Sequence, residues 1–222
     1  LFVAFICYPV MMAEIAMGRR AKRNPVGAFD TIAGGSKKWR LTGMLAIITP
    51  FMIAVFYTVI TVWLVVYLKE LAGGGLERLA QEATFSEIVA APSLFGYAVF
   101  LLIGVFLILA GGVKGGIERL ARVLMPTLAV MLVALTLFVL TLDGASAGIA
   151  YYLVPDFSKM NLSTINGALS QAFFSLSLGM GILITYGSYF SREDSIPGSA
   201  RTVAVMDTSI AFFAGLLILP AI

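Results

Sequence analysis

Long apolar runs alternate with short polar segments along this 222-residue chain. Six runs, roughly 1–17, 43–68, 94–112, 123–142, 165–190 and 200–222, are each near the length of about 20 residues that an α-helix needs to cross hydrocarbon. The pattern predicts an all-α, polytopic helical bundle, with 1–222 as one transmembrane domain. The polar segments carry their own signals. Pro25-Val26-Gly27-Ala28-Phe29 and Thr31-Ile32-Ala33 predict a short interfacial helix that Gly34-Gly35 ends. Gly73-Gly74-Gly75 closes the second run, and Gly111-Gly112 and Gly115-Gly116 bracket Lys114 in a tight turn between the third and fourth. Pro126 follows Gly116 by ten residues. It removes a backbone donor and crowds the turn before it. Two readings fit: local unwinding at the start of the fourth helix, or a proline near a helix start, where it is tolerated.

Composition strengthens the membrane reading. The chain is 60% hydrophobic and 12% charged, with mean hydropathy +0.98, more apolar surface than a soluble core of this length needs. Of the 15 basic residues, most lie in three segments. Segment 18–42 holds Arg19, Arg20, Lys22, Arg23, Lys37, Lys38 and Arg40; 113–122 holds Lys114, Arg119 and Arg122; 191–201 holds Arg192 and Arg201. The alternating segments 69–93 and 143–164 hold only Lys69, Arg78 and Lys159. The positive-inside rule puts the basic segments on the cytoplasmic side of a plasma (inner) membrane. The net charge of +3 therefore reports topology, and no nucleic-acid partner is expected. Cys7 is alone, so an intrachain disulfide is impossible, and with no histidine a His/Cys metal site is excluded. Ser-His and Cys-His nucleophiles are excluded too, and there is no Walker-type phosphate loop; neither an enzyme nor a cofactor is expected. Leu1 already lies in an apolar run and Ile222 ends in one, so the chain reads as an internal piece of a larger membrane protein.

The fifth run is the unusual one. SQAFFSLSLGMGILITYGSY, from Ser170 to Tyr189, carries Ser175, Ser177, Gly179 and Gly181 near its middle. Glycine costs a helix about 0.5–1 kcal/mol relative to alanine, so these residues make a break cheap without forcing one. One reading is an opened helix whose loose N–H and C=O groups meet an anion and a cation, with serine hydroxyls as hard oxygen ligands. The other is close packing, in which small residues let helices approach and serines bond back one turn. Two carboxylates favour function, because a charge inside a span costs several kcal/mol. Asp207 lies in the sixth run with no basic residue one turn away; Glu14 lies in the first, close enough to Arg19 and Arg20 to snorkel to the interface.

The residues Phe173-Phe174-Ser175-Leu176-Ser177-Leu178-Gly179-Met180-Gly181 resemble the unwound sixth helix of neurotransmitter:sodium symporters. Glu14-Ile15-Ala16-Met17-Gly18-Arg19 resembles the end of that family's second helix, and Ile53-Ala54-Val55-Phe56-Tyr57, with Trp63 beyond, its third. Lys114-Gly115-Gly116-Ile117-Glu118-Arg119, Met125-Pro126 and Pro155-Asp156-Phe157 fit the fourth and fifth helices and the loop after them. The likeness covers the chain from helix two to the middle of helix seven. It implies part of an inverted-repeat transporter with a discontinuous helix, performing sodium-coupled symport of an amino acid by alternating access. It further implies that Ile53 and Tyr57 line the substrate site, with the Tyr57 hydroxyl on the substrate carboxylate. Phe174 would be an aromatic lid, and Ser177 and Met180 side-chain contacts in the opened segment. Ser175 and Asp207 would be sodium ligands, Ser175 also touching the substrate. Tyr189 and Gln171 would fall among gate and supporting positions, Gly179 at the opening, and Glu14 would brace the broken helix.

Some positions depart from the family's pattern. Asparagine is common where Asp207 stands, and chloride-independent members carry a carboxylate one turn later, where this chain has Ala211. Asp207 itself is therefore expected to supply the fixed negative charge. Ile53 and Met180 form an apolar wall, Met180 replacing a common aromatic, which favours a hydrophobic or aromatic L-amino acid. Ser175 is about 15 residues from the basic segment 191–201 and Asp207 only about 6, so they can meet only if residues before Thr202 also lie within the protein. Other readings are a different transporter or channel built on broken helices, and a non-transporting regulatory or scaffolding protein of the same fold.

Overall fold

The computed structural model describes residues 1–221, with the side chains of Glu82, Lys114 and Lys159 outside the description. Ile222, the end of the sixth expected span, lies outside the described residues. The described residues are helical with no strand. A π-helical turn, Val3–Cys7, leads into α1 (Tyr8–Ala21). There follow α2 (Pro25–Ile32), α3 (Lys37–Ala72), α4 (Leu76–Leu79), α5 (Glu82–Ala90) and α6 (Leu94–Ala110). After a second π turn, Val113–Ile117, come α7 (Glu118–Val139), α8 (Ala145–Leu153), α9 (Leu162–Ser175), α10 (Ile182–Tyr189) and α11 (Ile196–Ile218). Three helical stretches, Lys37–Ala72, Gly115–Val139 and Ile196–Ala221, are long and apolar enough to cross a membrane; Ala83–Ala90 with Leu94–Ala110, bent by 70°, forms a fourth if counted as one span.

The chain divides into two compact units, one formed by Leu1–Pro50 with the chain from Thr127 onward, the other by Phe51–Pro126. In the first, Cys7, Met11 and Ile15 of α1 pack on Leu176, Leu178 and Leu183 and on Ile196, Ala200 and Ala204 of α11. The contact of α1 with α10 is backbone on backbone. A Cβ on Gly18 would lie 2.0 Å from the Ile184 carbonyl oxygen, and one on Gly187 2.4 Å from that of Ile15. The short helix α2 forms where the sequence predicts it. The Asn24 side chain accepts from the Gly27 N–H at 2.8 Å, Pro25 takes the first helical turn, and Gly34 and Gly35 end the segment at φ 64° and 84°. Pro25 then packs on Gly181, and Val26 on Gly43. On α8, Gly148 meets Pro220 and Tyr152 meets Gly215.

In the second unit Trp63 of α3 sets its ring edge-on to Phe85 of α5 at 5.7 Å, beside buried Val62, Val66 and Ile88. Arg78 bridges Glu70 and Glu87, and Lys69 lies over the Tyr97 ring. Here the structure corrects the sequence. Segment 69–93, expected as a loop, holds α4 and α5, and 143–164 in the first unit holds α8. Neither reading of Pro126 describes it: α7 runs unbroken from Glu118 to Val139 with Pro126 well inside. The irregularity falls earlier, in the π turn that follows Gly112 at φ 68°. There Gly116 is pressed against the Ile108 carbonyl, a contact only glycine permits.

The fifth apolar run is a broken helix, so the close-packing reading does not hold. The end of α9 is closed by a Schellman motif, in which the Leu178 N–H donates to the Phe173 carbonyl at 3.0 Å and the Ser177 N–H to that of Phe174 at 3.1 Å. That motif needs one left-handed residue, and Ser177 fills it at φ 55°. Gly179 and Gly181 are also left-handed, at φ 76° and 68°, and Gly181 caps the start of α10. Leu176 and Leu178 are buried in the core and hold the opened segment in place.

Four substitutions test this through the thermal stability of the full-length protein in detergent. Ser177→Gly should raise it and Gly179→Ala lower it, each by about 1–2 kcal/mol, the cost of a Cβ in a left-handed residue. Gly187→Val should lower it by about 1–3 kcal/mol or more through overpacking against α1, whereas Gly167→Ala, in open space on α9, should be neutral or stabilising. Equal melting points for Gly187→Val and wild type would contradict the backbone contact.

Candidate functional site

Opening a helix in an apolar interior leaves N–H groups that must find partners. Glu14, in the middle of α1 and only 8% exposed, supplies one: its Oε1 accepts from the Gly179 N–H at 2.7 Å. The packing of Gly18 on α10 brings α1 near enough for a side chain of this length to reach the break. The snorkelling alternative for Glu14 is therefore excluded, since the carboxylate points into the protein. Its other oxygen, Oε2, is buried and has no hydrogen-bond partner among the described residues.

The second carboxylate reaches the other side of the break. Ser175 is the last residue of α9, and its hydroxyl donates to Asp207 Oδ1 at 2.7 Å, across 32 residues of sequence. The helix carrying Asp207 starts early. The Ser195 side chain caps it by accepting from the Gly198 N–H, and Pro197 occupies its first turn. Asp207 is thus about 17 Å along α11 at 1.5 Å per residue, deep enough to meet Ser175. Its neighbours Thr208 and Ser209 donate back to the carbonyls of Ala204 and Val205, so their hydroxyls are already engaged on their own helix. Asp207 and Ser175 together present a hard-oxygen pair in a chain whose described residues hold no cluster of His, Cys, Asp or Glu.

The other expected site residues distribute as follows. Gln171 stands one turn before Ser175 on α9, Phe174 is partly exposed beside it, and Ser177, Gly179 and Met180 form the opened segment. Tyr189 is the last residue of α10 and is exposed. Ile53 and Tyr57 lie one turn apart on α3, in the unit Phe51–Pro126. Two cationic contacts escape the sequence reading. Arg19 Nη1 donates to the Asp194 carbonyl at 3.0 Å, and the Lys22 ammonium donates to the carbonyls of Ser188, in the last turn of α10, and of Phe190, just beyond it. Both residues register in the sequence only as part of a basic segment, and nothing there indicates which carbonyls they reach.

Comparison with known proteins identifies the family. The profile described as the Sodium:neurotransmitter symporter family matches residues 90–222. The uncharacterized sodium-dependent transporter YhdH of Bacillus subtilis is 37% identical over 227 residues, covering 100% of this chain and 50% of its own length. The mouse sodium-dependent neutral amino acid transporter B(0)AT1 is 23% identical over 98% of this chain and 39% of its own. Among solved structures, MhsT in complex with L-phenylalanine superposes with TM-score 0.88 at 42% identity, over 99% of this chain and 51% of that one. The chain thus spans about half the length of the relatives it matches. These relatives are transporters, not enzymes, and the chain is part of a multi-pass membrane protein. It belongs to the sodium:neurotransmitter symporter family.

Proposed function

We propose that the full-length protein carries an amino acid with a hydrophobic or aromatic side chain across the plasma membrane, coupled to sodium, by alternating access. The observation that carries this reading is the Ser175–Asp207 pair at 2.7 Å beside an opened helix. A sodium ion, as cargo, would take the Asp207 carboxylate and the Ser175 hydroxyl oxygen among its ligands. The first turn of α10, which starts at the break with no side-chain cap, has N–H groups without partners inside the helix, and a helix N-terminus favours the carboxylate of a zwitterion. Where the substrate carboxylate is also a ligand of the ion, each binds better with the other present, and that reciprocity is the coupling. The L-phenylalanine bound to MhsT supports the substrate class, as do Met180 in the break and Ile53 on α3. The resemblance assigns the Tyr57 hydroxyl to the substrate carboxylate, Phe174 to the closing aromatic and Tyr189 to the gate. Segments 18–42, 113–122 and 191–201 would face the cytoplasm.

Asp207 would supply the fixed negative charge beside the cation, so chloride is not required. Uptake of labelled L-phenylalanine into proteoliposomes under a sodium gradient should continue in chloride-free buffer; abolished transport there would refute the fixed-charge role. Ser175→Ala should raise the sodium concentration for half-maximal uptake about tenfold, the loss of one oxygen ligand worth roughly 1.4 kcal/mol. Absence of any sodium-dependent substrate binding by the wild-type protein would leave a non-transporting scaffold as the better reading.

A further inference from the structure

Lys22 is the one described residue besides Ser177 that is not glycine yet adopts a left-handed backbone, at φ 52°. It ends α1 by donating its N–H to the Gly18 carbonyl at 2.9 Å, the turn in which glycine is usual. A Cβ there costs about 1–2 kcal/mol, so a lysine at this position needs a return. The return lies on another helix. Helices α1 and α10 run the same way, since Glu14 pairs with Gly179 and Lys22 with Ser188. Their negative dipole ends therefore lie side by side, with the last carbonyls of α10 unpaired within the helix. From its left-handed position Lys22 sends its ammonium past the end of α1 to the carbonyls of Ser188, at 3.2 Å, and Phe190. Arg19 adds the Asp194 carbonyl. The Asp194 side chain fixes the loop between them. Its carboxylate accepts from the Ser191 N–H at 2.6 Å. That bond first, then the Ser191 hydroxyl and the charges of Lys22 and Arg19, hold its pKa below the ordinary carboxylate range.

We propose that Lys22 is a positioning residue: it clasps the C-terminal end of α10 to α1, so that this half of the broken helix is held by α1 rather than by α9. The backbone contacts of Gly18 and Gly187 bring the two helices together, and the lysine secures their shared end. The consequence for transport rests on the symport reading: α10, with Tyr189 at its tip, would move with α1 whatever α9 does.

The test is hydrogen–deuterium exchange of the full-length protein in detergent, read on peptides covering α10 and, as a control, α9. Lys22→Met and Lys22→Gly should speed exchange at the Tyr186–Phe190 amides about fivefold and leave α9 unchanged, and Lys22→Arg should restore slow exchange. If the lysine only terminated α1, Lys22→Gly would suit the left-handed turn better and α10 would exchange as in wild type; that result overturns the clasp. Unchanged exchange in Lys22→Met overturns it as well. Sodium-dependent binding of L-phenylalanine by the wild type, measured in the same micelles, tests the symport reading separately.

Discussion

Backbone polar groups in an apolar interior have to be paired, and that constraint shapes the whole of this structure. A continuous helix meets it within itself. A broken one has to meet it at the break, and here the break is met from several directions. The Schellman bonds of Ser177 and Leu178 take up carbonyls at the end of α9. The Glu14 carboxylate takes the Gly179 N–H. Buried Leu176 and Leu178 fix the opened residues so that these bonds last. An amide left buried and unpaired costs about 1–3 kcal/mol, so a break of this kind persists only where other helices bring partners to it. The glycines permit the opening; Glu14, on α1, makes it tolerable.

Much of this is legible in the sequence, because the apolar runs and the polar exceptions within them are strong signals. The boundaries of α2 and α6 follow the sequence signals closely, whereas α11 begins at Ile196, ahead of its apolar run, and the Ser-Gly centre of the fifth run marks the opened segment. Asp207 and Glu14 stand out because a carboxylate in a span needs a reason. What is not legible depends on packing. Glu14 reads equally as a snorkelling side chain until Gly18 is seen against Ile184, since only that close approach brings its carboxylate to the break. Pro126 reads either as a site of unwinding or as a tolerated proline near a helix start, yet it lies inside α7, and the irregular turn comes earlier, at the glycines before that helix. The helices in 69–93 and 143–164 are too short to give an apolar period, and they are held where Phe85 packs on Trp63 and Tyr152 on Phe212. Lys22 is invisible among its basic neighbours, because its role lies in a backbone angle.

The two carboxylates are alike in sequence and different in use. Glu14 is buried and spends one oxygen on a backbone N–H, which makes it part of the scaffold of the break. Asp207 is half-buried and is met by a hydroxyl, a group that can rotate and offer its oxygen to a cation instead. A hydroxyl–carboxylate bond can be exchanged for two ion–oxygen contacts without moving the backbone. The Glu14–Gly179 bond cannot be exchanged in that way, since the amide has only its hydrogen to give.

This difference separates the two halves of the helix. The end of α9 is joined to α11 through Ser175 and Asp207, a link that a bound ion could replace. The helix α10 is joined to α1 by glycine-mediated backbone contact and by Glu14 at one end, with Lys22 at the other, links that involve no exchangeable oxygen pair. An ion entering beside Ser175 would therefore act first on the α9–α11 side of the break. A ligand spanning both sides would then sense the ion through the opened residues 176–181 and through the packing of α1 on α11, the two routes by which sites in this unit can share free energy.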